Sequence, residues 1–316
     1  MLDLSERIFI TGHRGMVGSA LHRILMREGY RNFCTASRSE LDLRQQTQVE
    51  TYFREHRPTV VFLAAARVGG IKANMEGPGQ FLYDNLMIQT NVIQQCLEHR
   101  VKKVVFLGSS CIYPRNCPQP IKEEYLMTGP LEPTNEGYAI AKIAGLRLSQ
   151  YYAKQFGLSV LNPMPCNLYG TNDHFEFDRA HVLSSLVHRF VDAVDDGASE
   201  VVVWGTGSAR REFMHVDDFA EAVLLLVNRY TSSDLINVGC GTDLTIKELA
   251  ELVAKETGFK GRLVWDTKMP DGMPRKCLDV SRLQALGFRP RIALPEGISR
   301  TVADYRQIKA NGGSVK

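Results

Sequence analysis

Along the first half of the chain, short unbroken apolar runs alternate with longer stretches whose apolar positions recur at helical spacing. "RIFITG" (7–12), "TVVFLAAA" (59–66) and "KVVFLGSS" (103–110) are too short for amphipathic helices and too uniformly apolar for surface strands, which predicts buried strands. "NFCTAS" (32–37) reads as another strand, and "LSVLNPMPCNLYG" (158–170) as a strand running into a loop. Between them, "MVGSALHRILMREG", "QTQVETYFREH", "QFLYDNLMIQTNVIQQCLEHR" and "GYAIAKIAGLRLSQYYAKQFG" have helical periodicity. Strand and helix in strict alternation predict βαβ units and a parallel sheet. Right-handed crossovers then require a Rossmann-type, doubly wound α/β sheet with helices on both faces.

The rhythm loosens after Leu168. "NLYGTNDHFEFDRAH" is polar and loop-like, "VLSSLVHRFVDAV" and "VDDFAEAVLLLVNRY" are helical, and "EVVVWG", "LINVGCG" and "RLVWD" read as strands, with a helix over 245–257. The pattern predicts a smaller α/β substrate domain interleaved with the first. Residues 1–167 and about 214–240 fall in the nucleotide domain, and 168–213 with 241–316 in the substrate domain. Linkers, repeats and low-complexity tracts are absent.

Composition narrows the function classes. A length of 316 residues suffices for two modest cores. The net charge of +3 and the scattered basic residues give no footprint for nucleic acid. "FAEAVLLLV", the longest apolar stretch, is too short to span a membrane. Seven cysteines without CxxC spacing argue for a reducing compartment and against both a disulfide framework and a metal site. The N-terminus enters a strand at once, which leaves no room for a signal peptide, so a cytoplasmic protein is expected.

"ITGHRGMVGS" places Gly12, Gly15 and Gly18 at the first strand–helix turn, with Arg14, Met16 and Val17 between them. Glycines there permit a tight turn and close approach of a pyrophosphate to the helix N-terminus. Alone such a triplet is an ordinary turn, but inside a complete βαβ unit it points to a dinucleotide. An acid that would hold a free ribose 2′-hydroxyl is missing at the end of the second strand, where Ser37 and Arg38 stand. A guanidinium suits a 2′-phosphate, which predicts NADP(H), with Arg14 as a second contact. A solvated surface arginine is the plainer alternative for Arg38. Asp42 and Leu43 follow at an adenine-contacting position, Ala64 and Ala65 give a small-residue strand end, and Asn167 joins the cofactor set after the fifth strand.

"GYAIAK" puts Tyr138 and Lys142 one helical turn apart. A phenol titrating near pH 10 works as an acid at neutrality only with help from a neighbouring cation. Ser109, at the fourth strand's end, is placed to hydrogen-bond a carbonyl undergoing reduction. Two positions on stands Cys111: a small core residue, a redox thiol, or an acid/base for carbon chemistry.

"GHRGMVGSAL", "AAARVGGIKAN", "FLGSSCIYP", "LEPTNEGYAIAKIAG", "NLYG", "VVVWGTG", "REFMHVDD" and "DGMPRK" together resemble the extended branch of the short-chain dehydrogenase/reductase superfamily, and within it the GDP-deoxysugar epimerase-reductases. The resemblance runs from Arg7 to about Asp279. It implies that Ser109, Tyr138 and Lys142 carry hydride transfer from NADPH at C4, and that Cys111 and His181 invert C3 and C5 of GDP-4-keto-6-deoxy-D-mannose. It also implies that Arg189, Trp204, Arg211 and Lys276 lie near the GDP-sugar, and that a homodimer forms through a four-helix bundle of the helices around 80–100 and 138–156. Met87, Ile88, Tyr151 and Tyr152 are the exposed-looking apolar positions there; the plainer alternative is that those faces cover the sheet.

Cys166, Thr171, Asn172 and Gly137 depart from the family pattern, so the sugar-facing loop differs from its relatives. Spacing alone leaves His174 and His188 as rivals of His181. His215 reads as structural, Cys117 as incidental, and Ser110 and Tyr113 receive no role. The chemistry is consistent from below. A 4-keto group acidifies the C3 and C5 protons, and a thiol (pKa about 8.5) and an imidazole (about 6.5) can exchange them near neutrality without a metal. Rival readings are a dideoxysugar epimerase-reductase such as one forming GDP-colitose, a simple 4-reductase, and a non-catalytic NADP(H)-binding protein on the same fold.

Overall fold

The computed structural model describes residues 2–176 and 180–311. In chain order the strands are β1 (Ile8–Thr11), β2 (Phe33–Cys34), β3 (Val60–Leu63), β4 (Lys103–Phe106), β5 (Val160–Pro165), β6 (Asn167–Tyr169), β7 (Glu200–Trp204), β8 (Arg210–Arg211), β9 (Phe213–His215), β10 (Leu235–Val238), β11 (Leu244–Thr245), β12 (Arg262–Asp266) and β13 (Arg275–Lys276). The helices are α1 (Met16–Arg27), α2 (Gln46–His56), α3 (Ile71–Glu76), α4 (Pro78–Glu98), α5 (Glu136–Phe156), α6 (Val182–Asp195), α7 (Val216–Arg229), α8 (Ile246–Thr257), α9 (Ser281–Ala285) and α10 (Leu294–Ala310).

Six strands form one parallel sheet in the order β2-β1-β3-β4-β5-β10. Every residue of β1, β3, β4 and β10 is buried, as expected of strands with helices on both faces. α1 packs with α7, while α2, α4 and α5 pack together. The chain leaves β1 for β2 at one edge and returns to β3 on the other side. That reversal opens a crevice at the strands' carboxyl ends, where ligands of such sheets bind.

β2 is shorter than the sequence suggests. After Cys34 the chain curls away, and the Glu40 carboxylate accepts a hydrogen bond from Ser37 N–H (2.7 Å). α10, which periodicity does not single out, packs on α6, α8 and β9, and a second core forms around Phe190, Leu249 and Tyr305 with the β7–β12 pair and Phe259. Met273, Leu278, Val280, Leu283 and Phe288 belong instead to the first core, so the chain returns to the sheet a second time near its C-terminus.

α4 and α5 cross closely along the outer face. Tyr151 is 62% exposed and Tyr83, which periodicity did not single out, is 61% exposed. Ile88 and Tyr152 instead pack onto the main core, and the Tyr152 hydroxyl donates to Gln94 Oε1 on the neighbouring helix. Met87 is half-buried. Two of the four apolar positions therefore lie partly buried against the core, in keeping with faces that cover the sheet.

Candidate active site

The first turn is built for close backbone approach. Gly12 has φ +67°, and a Cβ on Gly18 would lie 2.2 Å from the Gly12 carbonyl oxygen, so α1 starts directly on the turn. Gly15 caps α1 without a side-chain hydrogen bond, and no acid occupies the first turn. Among the described residues, no side chain accepts from the N–H groups of the helix start, and the positive helix end faces the crevice. A pyrophosphate fits there, with Met16 and Val17 in the first turn. Thr11 Oγ1 accepts from Ala65 N–H (3.0 Å), drawing the Ala64–Ala65 strand end beside the turn. Arg14 and Arg38 are exposed; Glu40, which feels the charge of Arg14, is held in its own turn by Ser37, and Asp42 feels the charge of Arg38. These features fit a dinucleotide with a phosphate on its ribose.

Two predicted cofactor contacts are already engaged. The Asp42 carboxylate is clamped by Arg44 (2.7 Å), which reaches on to Asp84 (3.2 Å) and holds the Asp42 pKa below the ordinary range. The Asn167 amide donates to the Glu212 carbonyl (2.9 Å). Leu43 offers only its backbone, and its carbonyl accepts from Asn91 Nδ2 (2.9 Å).

α5 carries Tyr138 and Lys142 on its inner face, against the end of β4. Burial pushes the Tyr138 phenol well above its ordinary pKa; the charge of a Cys111 thiolate would raise it further, and the Ser109 hydroxyl opposes both. Burial draws Lys142 down to about 8. Its Nζ donates to the Leu107 carbonyl (2.8 Å) and lies 5.1 Å over the Phe106 ring and 5.9 Å over the Tyr138 ring.

Ser109 begins a single 3-10 turn and its Oγ accepts from Cys111 N–H (3.2 Å), which sets serine and cysteine side by side. Tyr113 ends that turn; its hydroxyl donates to Asn237 Oδ1 on β10 at 2.6 Å, and Asn237 Nδ2 donates to the carbonyls of Ile121 and Asp279. This buried network anchors the turn to the sheet edge and supplies the role that sequence did not assign. Tyr113→Phe is expected to lower unfolding free energy by about 1–3 kcal/mol in urea titrations, because Asn237 Oδ1 loses its donor.

β8 and β13 pair in parallel, with Arg210 opposite Arg275 and Arg211 opposite Lys276. Side chains alternate along strands. One face presents Arg210 and Arg275, which share the Asp243 carboxylate at 3.0 and 2.5 Å. The other presents Arg211 and Lys276 toward Cys111, with Lys276 Nζ 3.8 Å from its sulfur. Burial lowers the Arg211 pKa, opposed by Cys111, Glu132 and Asp271.

His181 occupies the N-cap position of α6 without capping it. The residue is exposed, yet desolvation of its imidazole lowers the pKa; Asp173 opposes this, and Lys276 and His174 add to it. Asp173 is buried, accepts from Ser184 Oγ and from His174 N–H (2.8 Å), and is driven upward by burial. His188 is turned away: its Nδ1 meets the Phe175 carbonyl and its Nε2 meets Asp192 at 2.9 Å. The Arg189 guanidinium lies 5.4 Å over the Trp204 ring. His215 Nδ1 accepts from Asp217 N–H as the cap of α7, a structural role.

The sequence profile of the NAD dependent epimerase/dehydratase family matches residues 8–239. The chain is 53% identical to the putative GDP-L-fucose synthase 2 of Arabidopsis thaliana over 305 residues, covering 96% of this chain and 93% of that protein. It is 38% identical to the GDP-L-colitose synthase of Yersinia pseudotuberculosis, covering 96% and 99%. Among solved structures it resembles a GDP-L-fucose synthetase from Naegleria fowleri bound to NADP, with TM-score 0.90, 29% identity and coverage of 98% and 95%. The chain belongs to the NAD dependent epimerase/dehydratase family. The glycine turn, Tyr138 and Lys142 all lie within the residues matched to this epimerase/dehydratase family, whereas Lys276 lies beyond them.

Periodicity and motif spacing missed two groups. Asn135 directs Nδ2 to Cys111 Sγ (3.3 Å). Glu212 is fully buried; it accepts from Gly241 N–H (2.6 Å) and Leu278 N–H (2.9 Å), while burial raises its pKa to about 7. Glu212 thereby fixes the strand end that carries Lys276. A lone acid between an arginine and a phenylalanine gives no such signal in sequence.

Proposed function

We propose that the protein converts GDP-4-keto-6-deoxy-D-mannose into GDP-L-fucose, inverting C3 and C5 and then reducing C4, with NADP(H) as cofactor. The observation that carries this reading is Cys111, one short turn from Ser109 and in contact with Asn135 and Lys276. A plain reductase needs a proton donor to oxygen; a thiol beside that donor supplies what inversion at carbon requires. The identity of 53% to a GDP-L-fucose synthase, against 38% to a GDP-L-colitose synthase, supports the sugar.

Ser109 and Tyr138 donate hydrogen bonds to the C4 ketone oxygen and stabilise the enolate formed as C3 and C5 lose their protons. Cys111 and His181 exchange those protons; the depressed pKa of His181 keeps its imidazole neutral and able to accept one at pH 7. NADPH, when bound, supplies the hydride to C4. Tyr138 gives its proton to the C4 oxygen, and Lys142 supports the charge left behind. The pyrophosphate of the cofactor is held by the turn from Gly12 to Gly18, and its 2′-phosphate by Arg38 and Arg14.

Arg211, Lys276 and Arg189 match the charge of the GDP diphosphate, with Trp204 beside them. The first core, residues 1–167 with about 214–240, carries the cofactor, and 168–213 with 241–316 carry the sugar nucleotide, apart from the return around Met273 and Phe288. Two copies pair through α4 and α5 in the cytoplasm, in keeping with exposed Tyr83 and Tyr151 and with unbridged cysteines.

Incubation with GDP-4-keto-6-deoxy-D-mannose and NADPH in D2O tests the reading. NMR is expected to show GDP-L-fucose deuterated at C3 and C5; GDP-6-deoxy-D-talose or GDP-D-rhamnose, reduced without inversion, overturns it. Arg38→Ala is expected to lower the NADPH-over-NADH preference in kcat/KM by about 10- to 100-fold, the loss of one charge-assisted hydrogen-bonded pair. Equal use of both cofactors by the parent enzyme refutes the assignment.

A further inference from the structure

Asn135 sits at the N-cap position of α5, where an asparagine side chain ordinarily accepts a hydrogen bond from the helix backbone. Here it makes no cap bond. Its Nδ2 donates to Cys111 Sγ at 3.3 Å, and its Oδ1 is buried with no hydrogen-bond partner among the described residues. On another side of the same sulfur, Lys276 Nζ stands at 3.8 Å, brought there by the β8–β13 pairing that sends its neighbour Arg275 to Asp243. One helix start and one strand end thus both give up commoner partners to face a single thiol.

We propose that Asn135 and Lys276 are positioning residues for the proton transfers of Cys111. Asn135 fixes Sγ and donates to it, and Lys276 supplies positive charge to the proton-accepting form. The inference rests on the epimerase reading above. An amide has a donor end and an acceptor end. Nδ2 toward sulfur suits a thiolate, whereas a protonated S–H calls for Oδ1, so rotation of the amide about its last bond serves either state as the proton moves. A fixed ammonium favours the thiolate. The other ionisable groups facing Cys111 are Tyr138 from α5 and Arg211 from β8, with Glu132 beyond Arg211 and His181 beyond Lys276. Arg211 adds to the positive field, and Tyr138 is neutral at working pH. Lys276 therefore has a task in the reaction besides matching the diphosphate.

The test compares Asn135→Ser, Lys276→Met and Lys276→Arg with the parent. Serine caps helices as well as asparagine does but is too short to replace the amide, so the melting temperature is expected to hold. The rate of Cys111 alkylation by iodoacetamide at pH 7, resolved by mass spectrometry of its peptide, is read without substrate. Asn135→Ser and Lys276→Met are each expected to slow it by about tenfold, because each removes a group that contacts the attacking sulfur, and Lys276→Arg to retain most of it. Deuterium exchange at C3 and C5 is expected to fall in parallel through kcat, with NADPH affinity unchanged. Unaltered alkylation in both variants, with exchange lost only through KM, overturns the proposal and leaves Lys276 a diphosphate ligand. Failure of the parent to exchange C3 and C5 would instead refute the epimerase reading, and the alkylation rates would still report on the two positioning residues.

Discussion

Tyr138→Phe is expected to slow NADPH oxidation by about 10²–10⁴-fold while deuterium exchange at C3 and C5 continues. Desolvation of the half-buried phenol raises its pKa and keeps it protonated at neutral pH, as the proposed acid for reduction at C4 requires. Phenylalanine fills the same space without a proton to give. Lys142 cannot substitute, because its Nζ is held on the Leu107 carbonyl and lies over the ring face. Exchange persists because Ser109 still donates to the ketone oxygen and Cys111 and His181 are untouched. Stopped-flow absorbance of NADPH together with NMR of the recovered sugar separates the two steps. Normal NADPH turnover in this variant removes Tyr138 from the mechanism.

Cys111→Ser should give the converse phenotype. A serine hydroxyl is nearly isosteric, but it ionises far above neutrality and forfeits the proton exchange that a thiol sustains near pH 7. Exchange at C3 and C5 is expected to fall by about 10²–10⁴-fold. Reduction at C4 remains, now on uninverted sugar, because Ser109, Tyr138 and Lys142 keep their places. Loss of both activities together would point to a collapsed turn; the Tyr113–Asn237 anchor, which does not involve the sulfur, argues against that outcome. Unchanged exchange would exclude Cys111 as a proton carrier. With Tyr138→Phe this makes a pair of variants that divides the two halves of the reaction between neighbouring side chains.

Strand–helix alternation, the glycine turn, Tyr138 and Lys142 one turn apart and the serine at a strand end are all local patterns, and each needs only a short window of chain. They were legible for that reason, as was the absence of an acid beside Arg38. Family resemblance extended the reach to Cys111 and His181. What lay beyond was long-range. The Arg44 clamp on Asp42 and the bond from Asn167 to the Glu212 backbone were not legible in sequence. Ile88 and Tyr152 looked outward-facing, yet they lie partly buried against the core.

The chain's own order of residues determined the doubly wound sheet, the glycine turn after its first strand and the placing of Tyr138 and Lys142 one helical turn apart, because apolar periodicity and backbone sterics act between near neighbours. Only the tertiary structure decided that "RR" at 210–211 and "RK" at 275–276 pair in register, so that Arg211 and Lys276 meet Cys111 while their partners neutralise Asp243. It likewise brought Asn135 to the sulfur and Tyr113 to Asn237. Those contacts join residues 24 to 165 positions apart, and Coulomb attraction and hydrogen bonding depend on distance in space, which sequence does not carry.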